Sequence, residues 1–425
     1  MWNRPAGVSP PTRSRAVSRA TLHAHLFAVE LGTGWTRALG AVGVAIVLAS
    51  GCRCDRPERT QPSAQPSASA SAAPESGIAI QLRLDESQQQ ALAELVSKRQ
   101  GARFPKQAVD QRENAPLFLY LAATSADNEV LTAALHAMAV AYTSVDQHPR
   151  RVTAGPDYAT VVAYHLGSAN PQVMEYAIEA SAHAISGKQP SRAVVDRLIE
   201  LGSSHPDPAI RAEAVDRLRL VQGFWDDARI AAVLLKALHE REPYIVSRAL
   251  FALRPRAAQL PDRERFLTQA RVLLKHSDPG VRGRAAEFVG RLAAGNGELA
   301  KELQPLLKDE HPYVRSAAAT GLSYLGYLPA AHWIVKLLGD KEKNGYELCC
   351  YRTPTGRSMR VPHDGSPWPQ VRDAAVRALE RLSIRTEQRF KADPVSRDDV
   401  DGSLAKNAKD ARAWYQKMRA KIPRE

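Results

Sequence analysis

DPAIRAEAVDRLRLV, residues 207–221, decides how this chain folds, because its signposts return five more times. The other pieces are NPQVMEYAIEASAHAI from Asn170, EPYIVSRALFALRP from Glu242, DPGVRGRAAEFVGRLA from Asp278, HPYVRSAAATGLSYLG from His311 and WPQVRDAAVRALERL from Trp368. Their prolines, 171, 208, 243, 279, 312 and 369, are spaced 37, 35, 36, 33 and 57 residues apart. Each piece predicts a helix with its own start. Proline at the first helical position loses nothing by lacking an N–H. Asn170, Asp207 and Asp278 before it are N-cap residues, and Glu242 is a weaker one. Two places after each proline stands Val173, Ile210, Ile245, Val281, Val314 or Val371. Six places after stands alanine every time, at 177, 214, 249, 285, 318 and 375. Ten places after, Leu218, Leu253, Val289, Leu322 and Leu379 complete one apolar face. A fixed small residue on that face implies a close approach of two helices.

A second helical segment precedes several of these pieces: RIAAVLLKALHE, RERFLTQARVLLKH and ELAKELQPLLKD. Each unit is therefore a helix pair of about 35 residues that cannot bury its apolar faces alone, so units must stack. The expected fold is all-α, an α-α superhelix or solenoid. An earlier, degenerate unit, ENAPLFLYLAATSADNEVLTAALHAMAVAYT, starts at Glu113 and brings the count to about seven. DESQQQALAELVSKRQ is expected as an N-terminal cap helix. LAKNAKDARAWYQKMRAKI is expected as a C-terminal cap, with Trp414 docking on the last repeat.

The recurring D-P-x-V-R-x-x-A pattern resembles the HEAT-repeat family over residues 113–383. The resemblance implies that the arginine three places after proline, Arg211, Arg282, Arg315 and Arg372, pairs with acids of the neighbouring repeat as a structural ladder. Met174 and Val246 interrupt the row. It also implies that the second helices line a concave face that holds a partner. Outward positions there are expected to include Tyr244, Phe251, Arg254, Tyr313, Ser316, Arg372 and Arg377, tyrosine and arginine being common interface anchors.

Residues 339–368, GDKEKNGYELCCYRTPTGRSMRVPHDGSPW, split the last repeat between its two helices. Long loops in compact arrays often carry function. Cys349 and Cys350 are adjacent and open to three readings: a vicinal disulfide, free thiols, or a link to Cys54 of another copy. They are poor chelators of one tetrahedral ion, and His363 nearby does not complete a site, so no metal is expected.

Ahead of the repeats, ALGAVGVAIVLASGC ends at Cys52. The uncharged run from Ala38 to Gly51 is too short to span a bilayer, which takes about 20 residues. Preceded by Arg37 and closed by Ala49, Ser50 and Gly51, it fits a signal-peptide apolar region. LASGC resembles a bacterial lipobox, which implies a diacylglycerol thioether on Cys52 and cleavage before it. The match is partial, since Ala49 stands where leucine is usual. Residues 1–37 are long for the positive region of a signal and contain Glu30; either the start lies nearer Val29 or Leu31, or the leader is unusual. Residues 52–78, with QPSAQPSASASAAPESG at their centre, have almost no large apolar side chain and are expected to be a flexible tether. The expected order is thus signal peptide 1–51, anchor and tether 52–78, solenoid 79–383 and capping segment 384–425.

Without residues 1–51, 53 Lys and Arg face 44 Asp and Glu, a formal +9 spread along the chain. Two pairs of cysteines are no disulfide framework. There is no G-x-S-x-G, H-E-x-x-H or Gly-rich phosphate loop, and the His/Glu pairs of HEAT-like hydroxylases are absent. His136, His165 and His183 fall within helices and are expected to be packing or surface residues. The expected protein is a non-enzymatic envelope lipoprotein, anchored by lipid on the extracytoplasmic side of a bacterial membrane. It would need no cofactor and would bind another protein or an envelope polymer, not nucleic acid. The alternatives are a thiol redox sensor built on Cys349 and Cys350 and, further off, a HEAT-like lyase.

Overall fold

The computed structural model describes residues 83–144, 151–221, 227–344, 351–352, 358–359, 370–395 and 399–424. Cys52, Cys54, Cys349, Cys350, His363 and Asp364 lie outside them. After α1 (Glu86–Ser97) and the short α2 (Lys106–Val109), fourteen helices follow as seven pairs. They are α3 (Ala115–Thr124) with α4 (Asn128–Ala141), α5 (Pro156–His165) with α6 (Pro171–Ile185), and α7 (Arg192–Ser204) with α8 (Pro208–Leu218). Next come α9 (Ala228–Ala237) with α10 (Pro243–Leu253) and α11 (Arg263–Leu273) with α12 (Pro279–Leu292). The last are α13 (Gly297–Leu303) with α14 (Pro312–Leu325) and α15 (Ala331–Ile334) with α16 (Val371–Ser383); α17 (Val400–Met418) packs on α16. Each second helix packs against the second helix of the next pair, from α4 through α16, so the described residues form an all-α solenoid of seven helix pairs.

The repeat signposts do the work their chemistry suggests. Asn170, Asp207 and Asp278 accept backbone N–H groups at the starts of α6, α8 and α12, whereas Glu242 makes no side-chain cap. His311 caps α14 through Nδ1, which accepts the Tyr313 N–H at 3.2 Å. The six alanines and the branched residues at +2 are all within 1% of full burial, as are the five at +10. Two first helices are shorter than their apolar pattern suggests. Pro305 turns 304–308 into a 3-10 segment after α13, and 335–339, which hold no proline, are likewise 3-10 after α15. Proline removes the hydrogen bond that would continue an α-helix.

Small residues bring α12 and α14 into backbone contact. A Cβ added to Gly290 would lie 2.2 Å from the Gly321 carbonyl oxygen, and one on Gly321 would lie 2.3 Å from that of Ala286. At the other end, aromatic groups join the first two pairs. Tyr142 and Tyr158 pack with ring centroids 4.7 Å apart, and their hydroxyls donate to the carbonyls of Ala115 and Ala180. Trp414 of α17 is buried and donates from Nε1 to the Gln388 carbonyl at 2.6 Å.

Two histidines stitch adjacent pairs together. His165 Nε2 lies 2.6 Å from the Ala122 carbonyl oxygen and His183 Nε2 lies 2.9 Å from that of Ala139. Burial lowers the pKa of both below the ordinary 6.5 and outweighs the opposing effect of the carbonyl bonds; burial lowers that of His311 too. The unfolded chain therefore takes up these protons first. The stability they contribute is complete above pH 6.5 and is lost as the pH falls through 6.5 toward the lower folded values. The urea midpoint should fall between about pH 7.5 and pH 5.5, at up to about 1.4 kcal/mol per pH unit per histidine. The fall should be smaller in a His165→Gln/His183→Gln variant. A wild-type midpoint that holds constant over this range would contradict the burial of these rings.

Candidate functional site

The arginines at +3 form a ladder along the turns. Arg211 meets Glu240 through two contacts of 3.1 Å, and Arg282 meets Asp309 at 3.0 and 2.9 Å. Arg315 reaches Asp340 at 2.8 Å and Glu342 at 3.1 Å. Each acid belongs to the following pair. The Nη1 of each arginine also donates to two carbonyls just before its own helix: those of His205 and Pro206, of His276 and Ser277, and of Asp309 and Glu310. Asp309 thus links two rungs, taking Arg282 on its carboxylate and Arg315 on its carbonyl. Arg372 differs: its Nη2 is 3.4 Å from Asp401 of α17, a looser contact. Charge-assisted forks of this kind hold register between neighbours.

The outward residues expected on the second helices divide into two groups. Tyr244, Ser316 and Arg372 are buried, which corrects their expected exposure. Neighbouring second helices lie close enough to cover positions near the helix starts. Tyr244 turns into the seam with α8, where its hydroxyl donates to Glu213 Oε1 at 2.8 Å and accepts from Arg248 Nη2 at 3.1 Å. Tyr313 is half-buried against Gly283, where an added Cβ would strike its ring at 2.4 Å. Phe251 and Arg254 are half-buried, and Arg377 is exposed beside Asp373 at 3.3 Å. Burial raises the pKa of Asp373 against the opposing charges of Arg377 and Arg372.

On the same face lies a row of half-buried arginines over two half-buried aromatic rings. The guanidinium carbons of Arg219, Arg254 and Arg284 lie 5.4, 5.1 and 5.1 Å from the Phe251 ring centroid. Those of Arg291 and Arg381 lie 3.7 and 4.1 Å from that of Tyr324. Arg254 also meets Glu287 at 3.2 Å, and Arg381 Nη1 donates to Ser323 Oγ at 2.6 Å. Burial lowers the pKa of Arg291, and the positive charges of Arg254 and Arg381 add to that effect against Tyr324 and Glu287. The sequence reading found Phe251 and Arg254 in this row but missed Arg219, Arg284, Arg291, Arg381 and Tyr324. Part of the signal was present: Arg291 and Arg381 stand in the last turns of α12 and α16, and Arg219 and Arg254 just past α8 and α10.

Other features hold less chemistry. His136 faces Glu179 at 3.9 Å and packs edge-on to Tyr176. A cleft of about 470 Å³ along the first three pairs is lined by Ala122, Tyr164, His165 and Arg197, but the His165 ring is committed to the Ala122 carbonyl. Among the described residues no group of three or more His, Cys, Asp or Glu could hold a metal ion, and no helix is long and apolar enough to cross a membrane.

Stacked helix pairs with a side-chain row along their second helices define a helical-repeat scaffold. Residues 267–345 match the family described as HEAT repeats. No curated protein matches the sequence. Among solved structures, the chain is similar to YibA of Escherichia coli, at 12% identity and a TM-score of 0.41, over 78% of this chain and 99% of that one. It is similar to a designed armadillo repeat protein at 16% identity and a TM-score of 0.36, over 50% of this chain and 99% of that one. Armadillo repeat proteins computationally designed for modular peptide recognition match at 16% identity and a TM-score of 0.35, over 49% of this chain and 99% of that one.

Proposed function

We propose that this protein is a lipid-anchored envelope scaffold, without catalytic activity of its own, that holds another protein on the face of its second helices. The observation that carries the reading is the division of labour among its arginines. The ladder arginines each meet a carboxylate of the next pair, whereas in the row over Phe251 and Tyr324 the guanidinium groups of Arg284, Arg291 and Arg381 rest on aromatic rings with no carboxylate in ion-pair distance among the described residues. Arginine and aromatic groups together are the side chains that most often anchor an interface. The anchor rests on the sequence: a short apolar run, small residues before Cys52, and a Pro/Ser/Ala tether long enough to let the array turn freely. Tagged full-length protein, crosslinked in intact bacterial cells and purified in detergent, should carry one stoichiometric partner. That partner should be lost when Phe251, Arg254 and Arg377 are changed to alanine. Cys52→Ala should leave the membrane fraction. Recovery of the array alone would sink the scaffold reading, and a Cys52→Ala protein that stays with membranes would sink the anchor.

A further inference from the structure

The arginines of the second helices meet two different fates. Arg211, Arg282 and Arg315 each find a carboxylate at 3.1 Å or closer. Among the described residues, no carboxylate lies within ion-pair distance of Arg284, Arg291 or Arg381. Their charge is instead laid on the rings of Phe251 and Tyr324. The Nε groups of Arg284 and Arg291 are shielded from solvent and have no acceptor among the described residues. Arg254, just past α10, joins these side chains of α12 and α16 around the two rings, and it meets Glu287 at 3.2 Å. Cations crowded on a half-buried surface repel one another, and Arg284, Arg291 and Arg381 lack the carboxylate that Arg211, Arg282 and Arg315 have. Stacking on rings holds the planar groups in place ahead of any ligand, so less side-chain entropy is lost when a carboxylate arrives.

We propose that Arg254, Arg284, Arg291 and Arg381, set around Phe251 and Tyr324, seat an acidic segment of the partner protein, whose Asp or Glu carboxylates the guanidinium groups receive. This rests on the scaffold reading above and names the chemistry of its partner. Two observations favour a peptide over nucleic acid. Bases bind such grooves by stacking on open aromatic faces. Here the neighbouring helices already lay guanidinium groups on both rings. Glu287 also stands beside Arg254, where it would repel a continuous line of phosphates, whereas a peptide can place its carboxylates away from it.

The test is fluorescence polarisation of a labelled glutamate decamer with the full-length chain. The decamer should bind at about 50 mM NaCl and be released as salt rises to about 300 mM. Arg284→Gln/Arg291→Gln/Arg381→Gln should weaken binding by about tenfold or more. Arg229→Gln/Arg265→Gln/Arg271→Gln removes the same charge from exposed positions of α9 and α11 and should change it by less than about twofold. Equal losses in both variants would overturn the proposal, since binding would then follow net charge alone. So would tighter binding of a single-stranded oligonucleotide of equal charge. Phenylglyoxal modification of the wild-type chain needs no variant: the decamer should protect Arg284, Arg291 and Arg381, and no protection would overturn the site. If the decamer is ignored while cells still yield the crosslinked partner, the acidic chemistry falls and the scaffold stands. If neither binds, both fall.

Discussion

Gly321→Ala should lower the stability of the array by about 3 kcal/mol, although alanine is the better helix former by about 1 kcal/mol. The added Cβ would lie 2.3 Å from the Ala286 carbonyl oxygen and 2.9 Å from its carbon. These are backbone atoms of α12 and cannot rotate aside. The helices must separate, and separation strips contacts from the fully buried Ala286, Val289 and Leu322 around the crossing. Gly290→Ala should behave alike, since its Cβ would meet the Gly321 carbonyl at 2.2 Å. Gly339→Ala is the control: nothing lies within 4 Å of its Cβ, and the change should stay within about 0.5 kcal/mol. Urea unfolding followed by circular dichroism would measure the loss. Hydrogen exchange should place it in α11–α16, because repeats exchange energy mainly with their neighbours. Full stability in Gly321→Ala would mean that the two backbones do not touch.

Arg248→Met should cost about 3–5 kcal/mol, the usual penalty for orphaning a buried charge. Arg248 is 3% exposed and lies 3.6 Å from both Glu213 and Asp216, which are themselves 7% and 6% exposed. Tyr244 closes the group, its ring 5.2 Å from the guanidinium and its hydroxyl bonded to Glu213. Burial raises the Tyr244 pKa far above 10, and the charge of Glu213 adds to it, so the hydroxyl stays protonated and donates. Burial opposes the charge on Arg248, but the two carboxylates prevail and hold its pKa above the ordinary value. Methionine fills much of the space and leaves Glu213 without its cation, while Asp216 keeps Arg219 at 3.3 Å. Adding Glu213→Gln and Asp216→Asn should recover most of the loss, since replacing all members of a buried ionic group is often near neutral. A single Arg248→Met variant within about 1 kcal/mol of wild type would show that water reaches this seam.

The order of the repeats was legible because everything that sets it is local. Proline after a capping residue starts a helix whatever surrounds it, and a branched residue, an alanine and a leucine at +2, +6 and +10 mark one face of that helix. The ladder arginines could be picked out by the same spacing. Which positions remain open on the far face was not legible. Tyr244, Ser316 and Arg372 are covered because adjacent second helices approach closely, and between α12 and α14 that distance is set jointly by Gly290 and Gly321 on two different helices. The row over Phe251 and Tyr324 is likewise assembled from side chains spread from Arg219 to Arg381. Its arginines stand at +5, +11 and +12, so they fall on no single repeat position. A one-helix periodicity carries the phase of each helix. It carries nothing about the gap between helices, and that gap, a product of pairwise packing, decides which charges are spent inside the array and which face outward.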